Sequence, residues 1–205
     1  RARSRLSRSY CLVTSVDPLR MYLFEEGLVR FSTHKYTLRN LKCRYAHLTN
    51  YSLNKKSRHF VSNDDPEKDD VGSKWSLRAL WDYLAKKGED VRKVRREIAS
   101  VLVKTLIAAE SEITPITHRA FAAKTEYNHC FELFGFDVLL DAHLKPWLIE
   151  VNVSPSLMGS SPLDKRIKGK LMADVFHCVG FHPLNQSVVR RDTRATKESR
   201  LRGAV

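Results

Sequence analysis

The sequence predicts an α+β fold in which an antiparallel sheet carries packed helices. Three observations predict it. Near the start, Tyr10–Thr14, Arg20–Phe24 and Leu28–Phe31 are short apolar runs with strand character. In the middle, Trp75, Leu77, Leu80, Trp81 and Leu84 recur at helical spacing, and a second such pattern runs from Val91 to Leu106. Near the end, the strand candidates Phe131–Asp141 and Pro146–Val153 are separated only by Ala142-His143-Leu144-Lys145, a connection short enough to require an antiparallel pair.

Taken in order, Asp17-Pro18-Leu19 reads as a turn, so the first strands form a hairpin or meander with Glu25-Glu26-Gly27 as the next connection. From Asn54 to Gly72 the chain turns polar and a mobile loop is expected. Ser73 offers an N-cap to a helix over Trp75–Leu84. Asp90 offers one to the long helix that follows, whose first turns carry arginine and lysine away from the apolar stripe. Pro162–Val179 reads as a closing helix. Asn185–Val205 is polar and basic, and is expected to be a disordered tail after a domain over residues 1–184. No internal repeat is visible.

With 205 residues, 42% of them hydrophobic, the chain is long enough for one cored domain and too apolar for a disordered one. No apolar run approaches the roughly 20 residues of a membrane span. The basic start, Arg1–Arg5, lacks the apolar stretch of a secretory signal. An initial arginine points to a piece of a longer protein. Lysine and arginine total 36 against 23 acids, a net charge of +13 that attracts polyanions: nucleic acid, acidic lipid or an acidic protein tail. The denser runs, Arg92–Arg96, Lys165–Lys170 and Arg190–Arg202, read equally well as solvated helix faces and a tail. No zinc-finger pattern or RNA-binding signature accompanies them, which disfavours nucleic acid. Cys11, Cys43, Cys130 and Cys178 form no Cys-x-x-Cys pair. They suit a reducing compartment such as the cytosol and read as buried thiols rather than zinc ligands.

The strand pair near the end carries the chemistry. Alternation puts Asp137, Leu139 and Asp141 on one face, and Glu150 and Asn152 together on a face of the next strand. With Ala142–Lys145 as the loop, Asp141 meets Pro146 and Asp137 meets Glu150. Opposed residues have side-chain roots about 5 Å apart, so two carboxylates there repel unless a cation intervenes. Oxygen donors from Asp, Glu and Asn suit Mg²⁺ held against phosphates. The plainer reading is a solvated strand end paired with lysine or arginine. Asp141 fits a turn residue better than a ligand.

Glu132-Leu-Phe-Gly-Phe-Asp137, Lys145-Pro-Trp-Leu-Ile-Glu150-Val-Asn152 and Ser154-Pro-Ser-Leu157 resemble the metal-binding hairpin of tubulin–tyrosine ligase-like enzymes. Leu12-Val-Thr-Ser, Asp17-Pro-Leu-Arg-Met-Tyr-Leu-Phe, Glu26-Gly-Leu-Val-Arg30-Phe, His47-Leu-Thr-Asn-Tyr-Ser52 and Gly72-Ser-Lys-Trp-Ser76 are similar to the same family, in order from about Tyr10 to Phe181. The Lys-Pro-Trp and Ser-Pro-Ser-Leu wording resembles its glutamylases. The resemblance implies the C-terminal part of an ATP-grasp catalytic domain. It also implies activation of a carboxylate by ATP as an acyl phosphate, and attack by an amino group to form an amide. The implied acceptors are acidic C-terminal tails of tubulin and the implied donor is L-glutamate, in the cytoplasm, on the cytoskeleton, and in a cilium or basal body. Residue by residue, the resemblance puts Mg²⁺ on Asp137, Glu150 and Asn152, and nucleotide on Thr49 and Asn50. The incoming amino acid falls to Arg30, Tyr51, Ser52 and Lys74, with Arg30 and Glu150 as the catalytic pair. Arg30 suits a bidentate grip on a carboxylate and Lys74 a point charge beside it. Taken without the family, Arg30 is a surface strand arginine, Lys74 a helix-start lysine, and Thr49, Asn50 and Ser52 are turn or capping residues.

Two departures from the family pattern stand out. The usual Phe-Asp-x-Arg before the first strand is here Arg5-Leu6-Ser7-Arg8, so only Arg8 matches as a substrate-contacting arginine. No glycine-containing phosphate loop appears among the eight glycines, and this stretch is expected not to catalyse alone. The readings that remain are a glutamylase, a glycylase of the same family, a non-catalytic module that binds microtubules or another polyanion, and nucleic-acid binding through the tail.

Overall fold

A computed structural model describes residues 5–63, 65, 67–121 and 130–180. Strands β1 (Arg5–Val16) and β2 (Leu19–Phe31) are followed by two single-turn helices, α1 (Arg44–His47) and α2 (Tyr51–Asn54). Then come β3 (Lys74–Ser76), α3 (Leu77–Lys86), α4 (Val91–Phe121), β4 (Glu132–Leu140), β5 (Pro146–Val153) and α5 (Pro162–Cys178). The strands form one five-stranded antiparallel sheet in the order β3-β2-β1-β4-β5. Residues up to Met172 make one compact unit, and the last turns of α5 begin a second. Among the described residues, no helix is long and apolar enough to cross a membrane.

One face of the sheet is the core. Cys11 and Val13 of β1, Val29 of β2, and Phe136, Val138 and Leu140 of β4 pack against Leu77, Leu80 and Leu84 of α3 and Val94, Ile98, Leu102 and Leu106 of α4. These α4 residues recur at every fourth position, close enough to the helical period to keep the apolar stripe on one side. Asp90 caps α4 as expected, accepting from the Lys93 amide at 2.9 Å.

Several expectations are corrected. The first strand reaches back to Arg5, because β1 is the sheet's central strand and its polar Ser7, Arg8 and Ser9 are buried. Glu25-Glu26-Gly27 is not a connection: β2 is continuous through it, with a register shift opposite Ser9 and Cys11. A Cβ on Gly27 would lie 2.3 Å from the Arg8 carbonyl oxygen, so only glycine fits the close approach. Ser73 is not the cap of α3. Ser76 is, its hydroxyl accepting from the Ala79 amide at 2.9 Å, while residues 74–76 are drawn into the sheet by β2. Of the expected buried thiols only Cys11 is fully buried; Cys43 is half-buried, and Cys130 and Cys178 are exposed. Asn185–Val205 lies outside the described residues.

Candidate functional site

The sheet's second face gathers the polar residues. The register sets Ser76, Leu28, Arg8, Asp137 and Glu150 in one row across all five strands. Lys74 and Arg30 stand opposite each other on β3 and β2, and Tyr10, Gly135 and Asn152 line up on β1, β4 and β5. The start of α5 lies over this face, where Leu163 and Ile167 pack on Leu28.

Asp137 does face Glu150, by a different route from the expected one. Leu140, not Asp141, meets Pro146, and a bulge between Asp137 and Val138 shifts the pairing by one residue to restore the acidic pair. Asp141 closes the loop, accepting from the amides of His143 (2.8 Å) and Lys145 (3.0 Å) and from the Trp147 indole (3.0 Å). Asp137 is not at a solvated strand end. It is 3% exposed and held by Arg8, whose Nε donates to Oδ1 at 2.7 Å and Nη2 to Oδ2 at 2.5 Å. Arg8 Nη2 also lies 3.7 Å from Glu150 Oε1, whose side chain is largely in solvent. An arginine from β1 thus supplies the cation that the paired carboxylates require. Burial works against the Arg8 charge, but the hydrogen bonds and charge of Asp137 outweigh it and hold the guanidinium above its ordinary value.

Asn152 Nδ2 donates to Glu150 Oε1 at 3.2 Å and to the Gly135 carbonyl at 3.3 Å. Among the described residues no three His, Cys, Asp or Glu side chains gather, so the donor set here is two carboxylates and an amide. That set suits a hard divalent cation. The Arg8 fork takes one acceptor site on each Asp137 oxygen and leaves others on both.

Lys74 is a strand residue, not a helix-start residue. Its Nζ lies 2.6 Å from Asp164 Oδ2, with both side chains largely buried, and 4.8 Å from the centroid of the Tyr51 ring. Ser160 donates to the same Asp164 oxygen at 2.5 Å. Burial alone would raise the Asp164 pKa; the bonds from Lys74 and Ser160 overcome it and hold the carboxyl below the ordinary range. Arg30 is different. Its Nε is buried with no hydrogen-bond partner, and no carboxylate among the described residues pairs with it. Burial and the nearby Arg8 charge lower its pKa, against the pull of Asp137. The fully buried Tyr10 hydroxyl is also unpartnered, and burial raises its pKa.

The structure therefore brings together Arg8, Asp137, Glu150 and Asn152, sets Arg30 beside Lys74, and joins Tyr51 to Lys74. It does not bring Thr49, Asn50 or Ser52 into hydrogen bonds with these groups among the described residues. Thr49 is buried, Asn50 and Ser52 are exposed, and the Asn50 carbonyl starts α2 by accepting from Leu53 and Asn54 at 3.2 and 2.9 Å. Sequence reasoning missed Asp164, Ser160, Lys168 and Tyr10. Asp164 stands at the third position of α5 and its amide bonds the Ser161 hydroxyl at 3.2 Å, so Ser161-Pro-Leu-Asp164 reads as capping chemistry alone. Lys168 sat inside a run read as a solvated face; it is 9% exposed, and its Nζ donates to the Met158 carbonyl at 2.6 Å.

The model of the tubulin-tyrosine ligase family matches residues 8–188. Tubulin polyglutamylase TTLL5 of Homo sapiens is 50% identical over 179 residues, 85% of this chain and 14% of the relative. Tubulin monoglutamylase TTLL4 of Homo sapiens is 47% identical over 176 residues, 85% of this chain and 14% of the relative. Tubulin polyglutamylase TTLL6 of Mus musculus is 42% identical over 190 residues, 91% of this chain and 22% of the relative. The chain thus spans roughly a seventh to a fifth of these relatives' length.

Proposed function

Because this chain belongs to the tubulin-tyrosine ligase family, we propose that it forms part of an ATP- and Mg²⁺-dependent ligase that joins L-glutamate by an amide bond to glutamate side chains of tubulin tails. The observation that carries this reading is the shared face on which Asp137, Glu150 and Asn152 stand beside Arg8, Arg30 and Lys74. When bound, ATP would supply the phosphoryl group that activates the acceptor carboxylate as an acyl phosphate, and its metal would offset the charge of the phosphates. Asp137, Glu150 and Asn152 would hold the metal. Arg8 fixes Asp137 in place and offsets negative charge that builds up nearby. Arg30, with its unpartnered Nε, grips a carboxylate of the incoming amino acid, and Lys74 and Tyr51 wall the same side. Thr49 and Asn50 serve the nucleotide, and Ser52 the amino acid. The net charge of +13 draws in the acidic tails of microtubules, which makes the cytoskeleton, including cilium and basal body, the place of action.

One observation favours a second reading. The Arg8 fork occupies both Asp137 oxygens, as it would in a salt-bridged scaffold of a non-catalytic polyanion-binding module. Incubation of the full-length protein with tubulin, ATP, Mg²⁺ and labelled glutamate or glycine separates the readings. The ligase reading expects label on tubulin that needs both ATP and Mg²⁺ and is lost in Arg30→Ala. Binding to microtubules without any incorporation supports the module, and glycine incorporated in preference to glutamate supports a glycylase.

A further inference from the structure

Four cations and two buried carboxylates face one another at the start of α5. Arg8 is spent on Asp137 and Lys74 on Asp164. Arg30 and Lys168 are left over. Arg30 has no hydrogen bond at Nε, and the bond of Lys168 goes to a neutral acceptor, the Met158 carbonyl, at 2.6 Å. Among the described residues neither has a carboxylate within ion-pair reach. Lys168 is nonetheless 9% exposed, and its charge interacts with Asp164, Lys74, Arg30 and Arg8, so it belongs to the same cluster. Glu150 does not complete the balance, because it reaches only Arg8 and its side chain is largely in solvent. Burying a charged group without a counter-charge is costly, so two uncompensated cations mark a site whose ligand brings the missing anions. One acceptor with one charge would leave the second cation bare. The fully buried Tyr10 hydroxyl, which has no acceptor, adds a neutral donor to the same cluster.

We propose that Lys168 is a specificity-determining residue that reads the second carboxylate of a dicarboxylic amino acid, while Arg30 takes the first. The proposal rests on the ligase reading above and deepens it: it explains from the charge count why the amino acid is glutamate rather than glycine. The binding step needs only one exchange. Lys168 leaves the Met158 carbonyl for the ligand, which frees the segment between β5 and α5 that it now tethers. Burial lowers the Lys168 pKa, and Asp164, one turn earlier on α5 and held on the other side by Lys74 and Ser160, pulls against that shift.

The test uses the full-length protein, labelled L-glutamate, L-glutamine and glycine, and tubulin as acceptor. Glutamine has the shape of glutamate without its side-chain charge. The wild type is expected to prefer glutamate over glutamine by about 10- to 100-fold in kcat/KM, the size expected for one charged hydrogen bond. Lys168→Met should collapse that ratio toward one, mainly through KM for glutamate. Lys168→Arg should restore much of it. A structural role alone would lower all three substrates together and leave the ratio intact, which overturns the proposal. If Lys168→Met does not fold, Lys168→Gln takes its place: a glutamate-to-glutamine ratio unchanged from wild type overturns the proposal, and a ratio that collapses toward one supports it. A wild type that incorporates no amino acid overturns the ligase reading and this one with it. Incorporation of glutamate with an unchanged ratio in Lys168→Met overturns this one alone.

Discussion

Arg8 and Asp137 stand opposite each other on β1 and β4, 129 residues apart in the chain, and share two hydrogen bonds of 2.7 and 2.5 Å in a nearly dry setting. The pair joins the central strand to the acidic hairpin and positions one of the two carboxylates on which the proposed metal site depends.

Removing one partner leaves the other charge buried alone. Arg8→Ala is expected to cost about 3–5 kcal/mol of stability, and Arg8→Lys less, because a single ammonium replaces a two-point fork. Chemical denaturation measures both. The double variant Arg8→Met/Asp137→Leu should recover much of the loss, and a strictly additive result would show that the two residues do not interact.

Acid should weaken the clasp between β3 and α5. Burial pushes the Asp164 carboxyl up, but the bonds from Lys74 and Ser160 hold it below the ordinary range. A carboxyl with a depressed folded-state pKa adds stability above its unfolded value, near about 4, and that stability is lost as pH falls through the lower folded value. Asp164→Asn should therefore flatten the acid limb of the stability-versus-pH curve below about pH 4. A curve of unchanged slope would mean that the pair contributes nothing to it.

The Cys11 thiol is fully buried and pushed up to about 11 by that burial. Thiolate, not thiol, reacts with alkylating reagents. Iodoacetamide at pH 8 should label exposed Cys178 in the native protein and spare Cys11 until denaturant is added. Mass spectrometry of the two peptides gives the answer, and equal labelling would place Cys11 outside the core.

Leu80 is fully buried in the cluster between sheet and helices. Leu80→Ala should cost about 2–5 kcal/mol through lost burial and the cavity left behind. A cost below about 1 kcal/mol would mean that α3 does not pack on the sheet as described.

Much of the fold was legible because it rests on local pattern. Alternation in β4 and β5 and the helical spacing in α4 are both written in short windows of sequence. The Asp137–Glu150 pairing is legible too, although alternation alone predicts a four-residue loop where the structure has a longer loop and a bulge, two one-residue displacements that cancel. What was not legible depends on distant partners. Arg5–Ser9 is too polar to read as a central strand, and only Asp137 makes burying Arg8 tolerable. Ser73 and Ser76 are equally good caps, and pairing with β2 chooses between them. Asp164 and Lys168 look like capping and surface residues until Lys74 arrives from 90 residues earlier.

The most direct test of the central claim is magnesium-dependent ATP binding by the full-length protein, wild type against Glu150→Gln. The account predicts that the wild type binds ATP tightly only with Mg²⁺, and that the variant weakens this by at least about tenfold while still folding. Equal binding by both proteins, or binding indifferent to Mg²⁺, would contradict it.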